Sequence, residues 1–193
     1  SDKWHGRMVG RMHGDATPLT VAHAHLVQRV ARYNPGMRWI ILLRDPVERA
    51  ISHYHMIRSW GHEPRTLFGA VLAETTRLRN GKGDWSMASA ARFHSYVQRS
   101  RYTRQLATLL EHFPREQVLL LRSADLATQA DTTVAKALAF LGLDPAPHQG
   151  RFERVFEGAY EPPPWWSPGR ALLKFRLRGE KQALRKRFGI DLG

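Results

Sequence analysis

Residues 42–54, Leu-Leu-Arg-Asp-Pro-Val-Glu-Arg-Ala-Ile-Ser-His-Tyr, carry the types and spacing that could bind an anionic ligand. An apolar, strand-like run ends at Leu43 and leaves Arg44 at its carboxyl tip. Asp45-Pro46 then opens a helix. Asp45 suits the N-cap, Pro46 the first helical position, and Glu48, three residues after the cap, completes a capping-box pattern. In α/β sheets ligands bind just beyond the carboxyl ends of the strands, and a helix N-terminus with free N–H groups attracts negative charge. Ser52 falls almost two turns after Asp45 and returns to the same helix face. Arg44 and Ser52 can therefore converge on one phosphate. Read alone, the segment is equally compatible with Arg44 pairing with a neighbouring carboxylate.

The charge balance agrees with an anionic partner. Thirty Lys+Arg against 17 Asp+Glu give a net charge of +13, and 24 of the cations are Arg. Arg presents a planar fork of donors suited to phosphate and sulfate, and the summed field attracts anions at long range. Charge alone does not choose among nucleotide, acidic glycan, nucleic acid and lipid surface. No helix-turn-helix, finger or RNA-recognition pattern is present, so no specific nucleic-acid partner is expected.

Composition narrows the classes further. Hydrophobic residues at 42% and charged residues at 24% are ordinary globular usage, and 193 residues make one domain with ample core. Zero cysteines exclude disulfides, thiol catalysis and Cys-ligated metal clusters. No uninterrupted apolar run exceeds five residues, against roughly 20 for a membrane span. The chain opens Ser-Asp-Lys-Trp without initiator Met or signal-like segment, which reads as a trimmed or processed N-terminus.

The elements that must position these residues follow from the apolar pattern. Arg38–Leu43 and Gln117–Leu121 are continuous apolar runs, as expected of strands covered on both faces in a parallel sheet. Leu26, Val27, Val30 and Tyr33 share a helical face before the Asn34-Pro-Gly36 stop. Helices are expected from Pro46 and from about Thr66, the latter with Leu67, Ala70, Val71 and Leu78 inward. Met87–His112 reads as one long helix or a broken pair, striped by Tyr102, Leu106, Leu109 and Leu110. A last core helix runs over Thr132–Leu141 to Gly142. Alternation of buried strands and helices predicts a three-layer α/β domain, with a core over 14–143. Residues 161–193 form a basic C-terminal segment. In it, a proline-framed pair, Trp165 and Trp166, precedes eight cations and one acid between Arg170 and Phe188. Leu172, Phe175, Leu184 and Phe188 at helical spacing predict an amphipathic helix docked by its apolar side. The tryptophans could stack a purine or sugar ring, although core packing is the commoner fate.

The 42–54 motif resembles the 3′-phosphate-binding motif of sulfotransferases that use 3′-phosphoadenosine 5′-phosphosulfate (PAPS). The likeness extends outward. Gly14-Asp-Ala-Thr-Pro18 resembles a Gly-Glu-Lys-Thr-Pro element of the heparan-type branch. Glu63-Pro and Leu67-Phe68 through Glu74 resemble its next helix, and Ser100-Arg-Tyr102 with Leu106, Phe113-Pro114 and 118–121 its following helix and strand. Phe140–Leu143 resembles its helix ending. This implies a P-loop-NTPase-like sulfotransferase fold, a parallel sheet flanked by helices, as a single domain over 1–193. It also implies in-line transfer of a sulfuryl group from PAPS to a hydroxyl or amine, without a metal. By that resemblance Arg44 and Ser52 hold the 3′-phosphate, with Tyr102 and Arg170 also at the donor. The acceptor would be a glycan or small molecule, including acidic ones.

Two departures bear on activity. The family's Lys-x-Gly-Thr-type 5′-phosphosulfate loop should precede residue 14, and nothing in Ser1–His13 resembles it; the chain is expected to lack that first strand–loop–helix unit. Ala16 stands where the heparan-type branch has Lys, and Asp15 where it has Glu. Asp15 is then the candidate general base, with His13 as its rival and a plain turn role as the alternative. A non-catalytic nucleotide- or polyanion-binding relative is the competing reading. His23-x-His25 and His53-x-His55 fall in expected helices, where i and i+2 diverge, so neither is a metal pair. Gly81-Lys-Gly83 reads as a surface loop before Trp85. Lack of cysteine and of Asn-x-Ser/Thr favours a cytoplasmic setting, with Golgi-lumen relatives as the alternative.

Overall fold

The computed structural model describes residues 12–84, 86, 88–144 and 160–193. Residues 1–11, where the phosphosulfate loop would be sought, and Trp85 and Met87 lie outside them. Two helices, α1 (Leu19–Ala22) and α2 (Ala24–Tyr33), precede the first strand, and Asn34-Pro35-Gly36 stops α2 as its composition requires. Strand β1 (Trp39–Leu43) pairs in parallel with β2 (Val118–Arg122), with Trp39 opposite Val118 and Leu43 opposite Arg122. Between them lie α3 (Pro46–Ser59), α4 (Leu67–Asn80), α5 (Ala90–Phe93), a 3₁₀ turn (Gln98–Ser100) and α6 (Tyr102–His112). After β2 come α7 (Ser123–Thr128), α8 (Ala130–Leu141), α9 (Pro168–Arg176) and α10 (Glu180–Phe188).

Local chemistry sets several boundaries. The Thr66 hydroxyl accepts from Gly69 N at 3.3 Å and caps α4. Gly142 at φ 76° closes α8, with its N–H and that of Leu143 reaching back to Ala139 and Leu138 carbonyls. Of the two forms expected over 87–112, the broken one occurs: α5 and α6 are separate because the Glu74 carboxylate on α4 takes the N–H groups of Val97 and Gln98, each at 2.8 Å. Those amides turn to a side chain instead of continuing a helix.

Two apolar clusters hold the fold. One joins α3, α4 and α9 through Ile51, Tyr54, Ile57, Val71, Leu173 and Tyr96. The other packs Leu43 and Val118 of the sheet against Val27, Leu106, Leu109 and Leu184. Helices thus flank a parallel sheet, as expected. However, the continuous apolar run of β1 is not covered on both faces among the described residues. Trp39, Ile41 and Leu43 face the second cluster, whereas Ile40 and Leu42 are 39% and 46% exposed. Helices α7 and α8 reach β2 and leave that side of β1 open.

Tyr33, expected inward, is exposed. The tail forms two helices, not one, turned at Gly179 with φ 79°. Leu173 and Leu177, four apart, are buried in the first cluster, and Leu172 packs half-buried against it as expected. Phe175 is exposed under the Arg178 guanidinium, 4.7 Å from its ring centre. Glu180 pins α10 to α6 by accepting from Thr103 N at 2.6 Å and its hydroxyl at 3.1 Å. Helix α9 docks by close approach. A Cβ on Gly169 would lie 2.7 Å from Leu67 Cγ and 2.9 Å from Phe68 N, which is backbone and cannot swing aside. Gly169→Ala is expected to lower stability by about 1–3 kcal/mol, the range for forced overpacking, measured by urea denaturation.

Candidate anion-binding site

Arg44 lies at the carboxyl end of β1, immediately before the N-terminus of α3. Pro46 at the first helical position fits because it needs no N–H partner there. Asp45 Oδ1 accepts from Val47 N and Glu48 N, both at 2.9 Å, and is the N-cap the sequence predicts. Two of the amides expected to be free for a ligand are thereby occupied. Glu48 does not close a capping box; its carboxylate accepts from Arg170 across the interface with α9. Lys181 Nζ donates to Asp45 Oδ2 at 3.2 Å.

The result is a cleft of about 360 Å³ between the α3 N-terminus and the α9–α10 turn, lined by Asp45, Glu48, Arg170, Lys174, Arg178 and Lys181 among others. Two carboxylates are each matched by a cation, and Lys174 and Arg178 add surplus positive charge. Arg44 is exposed and joins no carboxylate among the described residues, because both nearby acids are engaged elsewhere. Among the described residues, Arg44 does not neutralise a neighbouring carboxylate. Ser52 is half-buried on α3.

The other candidates fall differently. Tyr102 is buried at the start of α6, and its phenol meets the Arg44 backbone. Burial raises its pKa, so it supports the β1–α3 turn as a neutral hydroxyl. Arg170 faces Glu48. His13 and Asp15 are exposed, and no hydrogen bond or ion pair ties them to the cleft. A Cβ added to Gly14, between them, would meet only open space, so nothing steric demands glycine there. Trp165 and Trp166 are exposed, 82% and 66%, and do not join the core. His55 stacks on Tyr160 with ring centres 4.2 Å apart and planes 7° apart. Among the described residues no group of three or more His, Asp or Glu could hold a metal ion.

Behind the cleft, α3 turns a second polar face inward. Arg49 Nε donates to Ser100 Oγ at 2.6 Å, and its guanidinium also reaches the Tyr96 carbonyl. Burial pulls Arg49 down to about 10. His53 is buried beside the Tyr96 ring, 5.2 Å between centres, with no well-formed hydrogen bond on either ring nitrogen. Burial first, then the charges of Arg49 and Arg99, push His53 down to about 2. From the sequence, His53 reads only as half of a rejected metal pair, and neither Arg49 nor Arg99 is singled out. Their one sequence signal is position, with Arg49 and His53 four apart on one helix face.

These shifts set a pH dependence. An unfolded chain protonates this imidazole near 6.5, whereas the folded chain does so only near 2. Between those values the unfolded state holds the extra proton, so stability falls as pH drops below about 6.5. His23, His55 and His94, lowered chiefly by burial, act in the same direction. Glu74, raised by burial, acts oppositely just above its ordinary value. Tm should be lower at pH 5 than at pH 7.5. The gap should narrow in His53→Phe, which keeps the ring against Tyr96 and removes the proton site. An equal gap in both proteins would show that His53 does not carry the effect.

A parallel β-strand followed by arginine at a capped helix N-terminus, with a cation-lined cleft between that helix and two basic helices, defines the chain as an α/β protein. Residues 11–160 match the family described as the sulfotransferase domain. The chain belongs to the sulfotransferase family. Human and mouse carbohydrate sulfotransferase 15 are each 28% identical to it over 120 residues, 58% of this chain and 21% of theirs. A sulfotransferase from Alicyclobacillus acidocaldarius superposes with a TM-score of 0.70 over 90% of this chain and 63% of that one, at 22% identity. The chain thus spans about a fifth of the length of these curated relatives, and its fold is the α/β fold of the bacterial enzyme.

Proposed function

We propose that this chain serves sulfuryl transfer from PAPS, with Arg44 and Ser52 holding the donor's 3′-phosphate at the start of α3. The observation that carries this reading is Arg44 itself, an exposed guanidinium at a strand's carboxyl end whose neighbouring acids are both engaged by other cations. The residues fit a phosphate. Arg44 offers a fork of donors, Ser52 a hydroxyl seven residues after the cap, and Lys174 and Arg178 surplus charge. When bound, PAPS would supply the sulfuryl group, which passes to an acceptor oxygen or nitrogen as its bond to the 5′-phosphate breaks.

The protein's share is positioning and charge compensation. Tyr102 supports the Arg44 backbone from behind, and Arg170, through Glu48, joins α9 to the first turn of α3. Asp15, or His13 two residues earlier, would take the acceptor's proton. The relatives named for carbohydrate make a glycan hydroxyl the first acceptor to test. The exposed placement of His13 and Asp15 favours a second reading, a nucleotide- or polyanion-binding relative without turnover.

Calorimetric titration of 3′-phosphoadenosine 5′-phosphate (PAP) against AMP, at low and moderate salt, tests the proposal. PAP binding that survives salt while AMP is rejected is expected. Equal, salt-sensitive binding of both would leave only a diffuse basic surface. Transfer of labelled sulfate from PAPS to a glycan, abolished in Asp15→Asn or His13→Gln, would separate enzyme from binder.

A further inference from the structure

The inward face of α3 carries more positive charge than folding alone accounts for. Arg49 is half-buried and satisfied by neutral oxygens, the Ser100 hydroxyl and the Tyr96 carbonyl. Glu74 lies near enough to offset Arg49 in part, but both its oxygens are taken by Val97 N and Gln98 N. Arg99, on the 3₁₀ turn, makes no side-chain hydrogen bond or ion pair among the described residues. It faces Tyr102 and a like charge, Arg92, and its field reaches His53 and His23. His53, 5% exposed, lacks a well-formed partner on both ring nitrogens. Buried polar groups are ordinarily paired, and a buried cation without a carboxylate is costly. Arg99 remains half-buried and not sealed, so the cluster opens toward solvent.

We infer that Arg49, Arg99 and His53 form a second oxyanion seat, distinct from the Arg44–Ser52 phosphate site proposed above, which receives a sulfate ester or carboxylate carried by the acceptor. The placement supports this division. Asp45 and Glu48 of α3 line the cleft under α9 and α10, while Arg49 and His53, on the next strip of the same helix, turn to the Tyr96–Ser100 segment. The Tyr102 hydroxyl meets the Arg44 backbone and also lies within reach of the charges of Arg49 and Arg99, so it borders both places. An oxyanion in this seat supplies the missing negative charge and gives His53 a charged acceptor in place of the poorly aligned Arg92 carbonyl it faces. An acceptor held there is already anionic before sulfuryl transfer, so the preferred substrate is an acidic one. The acceptor role rests on the sulfotransfer reading; the seat itself does not.

The test uses inorganic sulfate as the probe, by thermal shift and calorimetry in a chloride background of constant ionic strength, with and without saturating PAP. Sulfate is expected to raise Tm and to bind both forms. Its affinity should fall at least tenfold in Arg99→Gln and also fall in His53→Phe, whose fold is checked by its unliganded Tm. Arg44→Ala should lose PAP and retain sulfate. Displacement of sulfate by PAP would show that one site serves both and would overturn the inference, as would affinity indifferent to Arg99→Gln or no sulfate binding. Failure of PAP to bind with sulfate binding intact would remove the donor reading and leave the seat standing.

Discussion

Arg44→Ala is expected to weaken PAP binding by about 100-fold while shifting stability by less than about 0.5 kcal/mol. The two halves of that result have different causes. A guanidinium bonded to a dianionic phosphate makes charge-assisted, bidentate hydrogen bonds, and removing them costs about 1.5–3 kcal/mol of binding. Within the folded protein, however, Arg44 is exposed and pairs with no carboxylate among the described residues, so its truncation orphans nothing. Arg44→Lys should fall between the two, because an ammonium keeps the charge and loses the planar fork. Calorimetry gives the affinity and urea denaturation the stability. Unchanged PAP affinity in Arg44→Ala would place the phosphate elsewhere, and a stability loss of several kcal/mol would make Arg44 a folding residue.

Glu63→Ala should have the largest effect on the fold, about 3–5 kcal/mol, as expected when one partner of a buried charge pair is removed. Glu63 is 2% exposed. It accepts from Arg77 Nη2 at 3.0 Å, Tyr96 Oη at 2.7 Å and Arg65 N at 3.1 Å, and a second Arg77 nitrogen also reaches it. Burial penalises its charge, but hydrogen bonds from Arg77, Tyr96 and Arg65 outweigh that and hold its carboxyl below the ordinary value. Alanine would leave the Arg77 cation and the Tyr96 hydroxyl without their acceptor inside the α3–α4 cluster. Glu63→Gln keeps an acceptor and should cost less. Because Tyr96 also positions Arg49 through its carbonyl, sulfate affinity at the inner face should fall along with stability. A near-neutral Glu63→Ala in urea denaturation would mean that water replaces the carboxylate without loss.

Much of this was legible in the residue order because it is governed by neighbours in the chain. Asp45 caps α3, Pro46 starts it, Asn34-Pro35-Gly36 ends α2 and Gly142 closes α8, each through contacts within a few residues. The two apolar runs become parallel strands with boundaries one residue from those expected. Arg44 at a strand tip follows from the same local logic. The departures have long-range causes. Glu48 abandons the capping box because Arg170, 122 residues away, reaches its carboxylate. The choice left open over 87–112, one helix or a broken pair, is made by Glu74, which from another helix claims two of the amides. Leu173 and Leu177 join Leu172 against the core while Phe175 stays outside, because Gly169 fixes the close docking of α9 on α4.

The sequence by itself determined the elements, the anion motif at the start of α3 and the family to which the chain belongs, since these are written in spacing and local propensity. The tertiary structure decided which cations are taken and which are left over. Both acids beside Arg44 are matched by α9 and α10, and Glu63 is matched by Arg77, while Arg99 stands without a carboxylate among the described residues. Pairing of charges depends on distances of a few ångströms between segments far apart in the chain. With 24 arginines to distribute, no reading of composition could assign them.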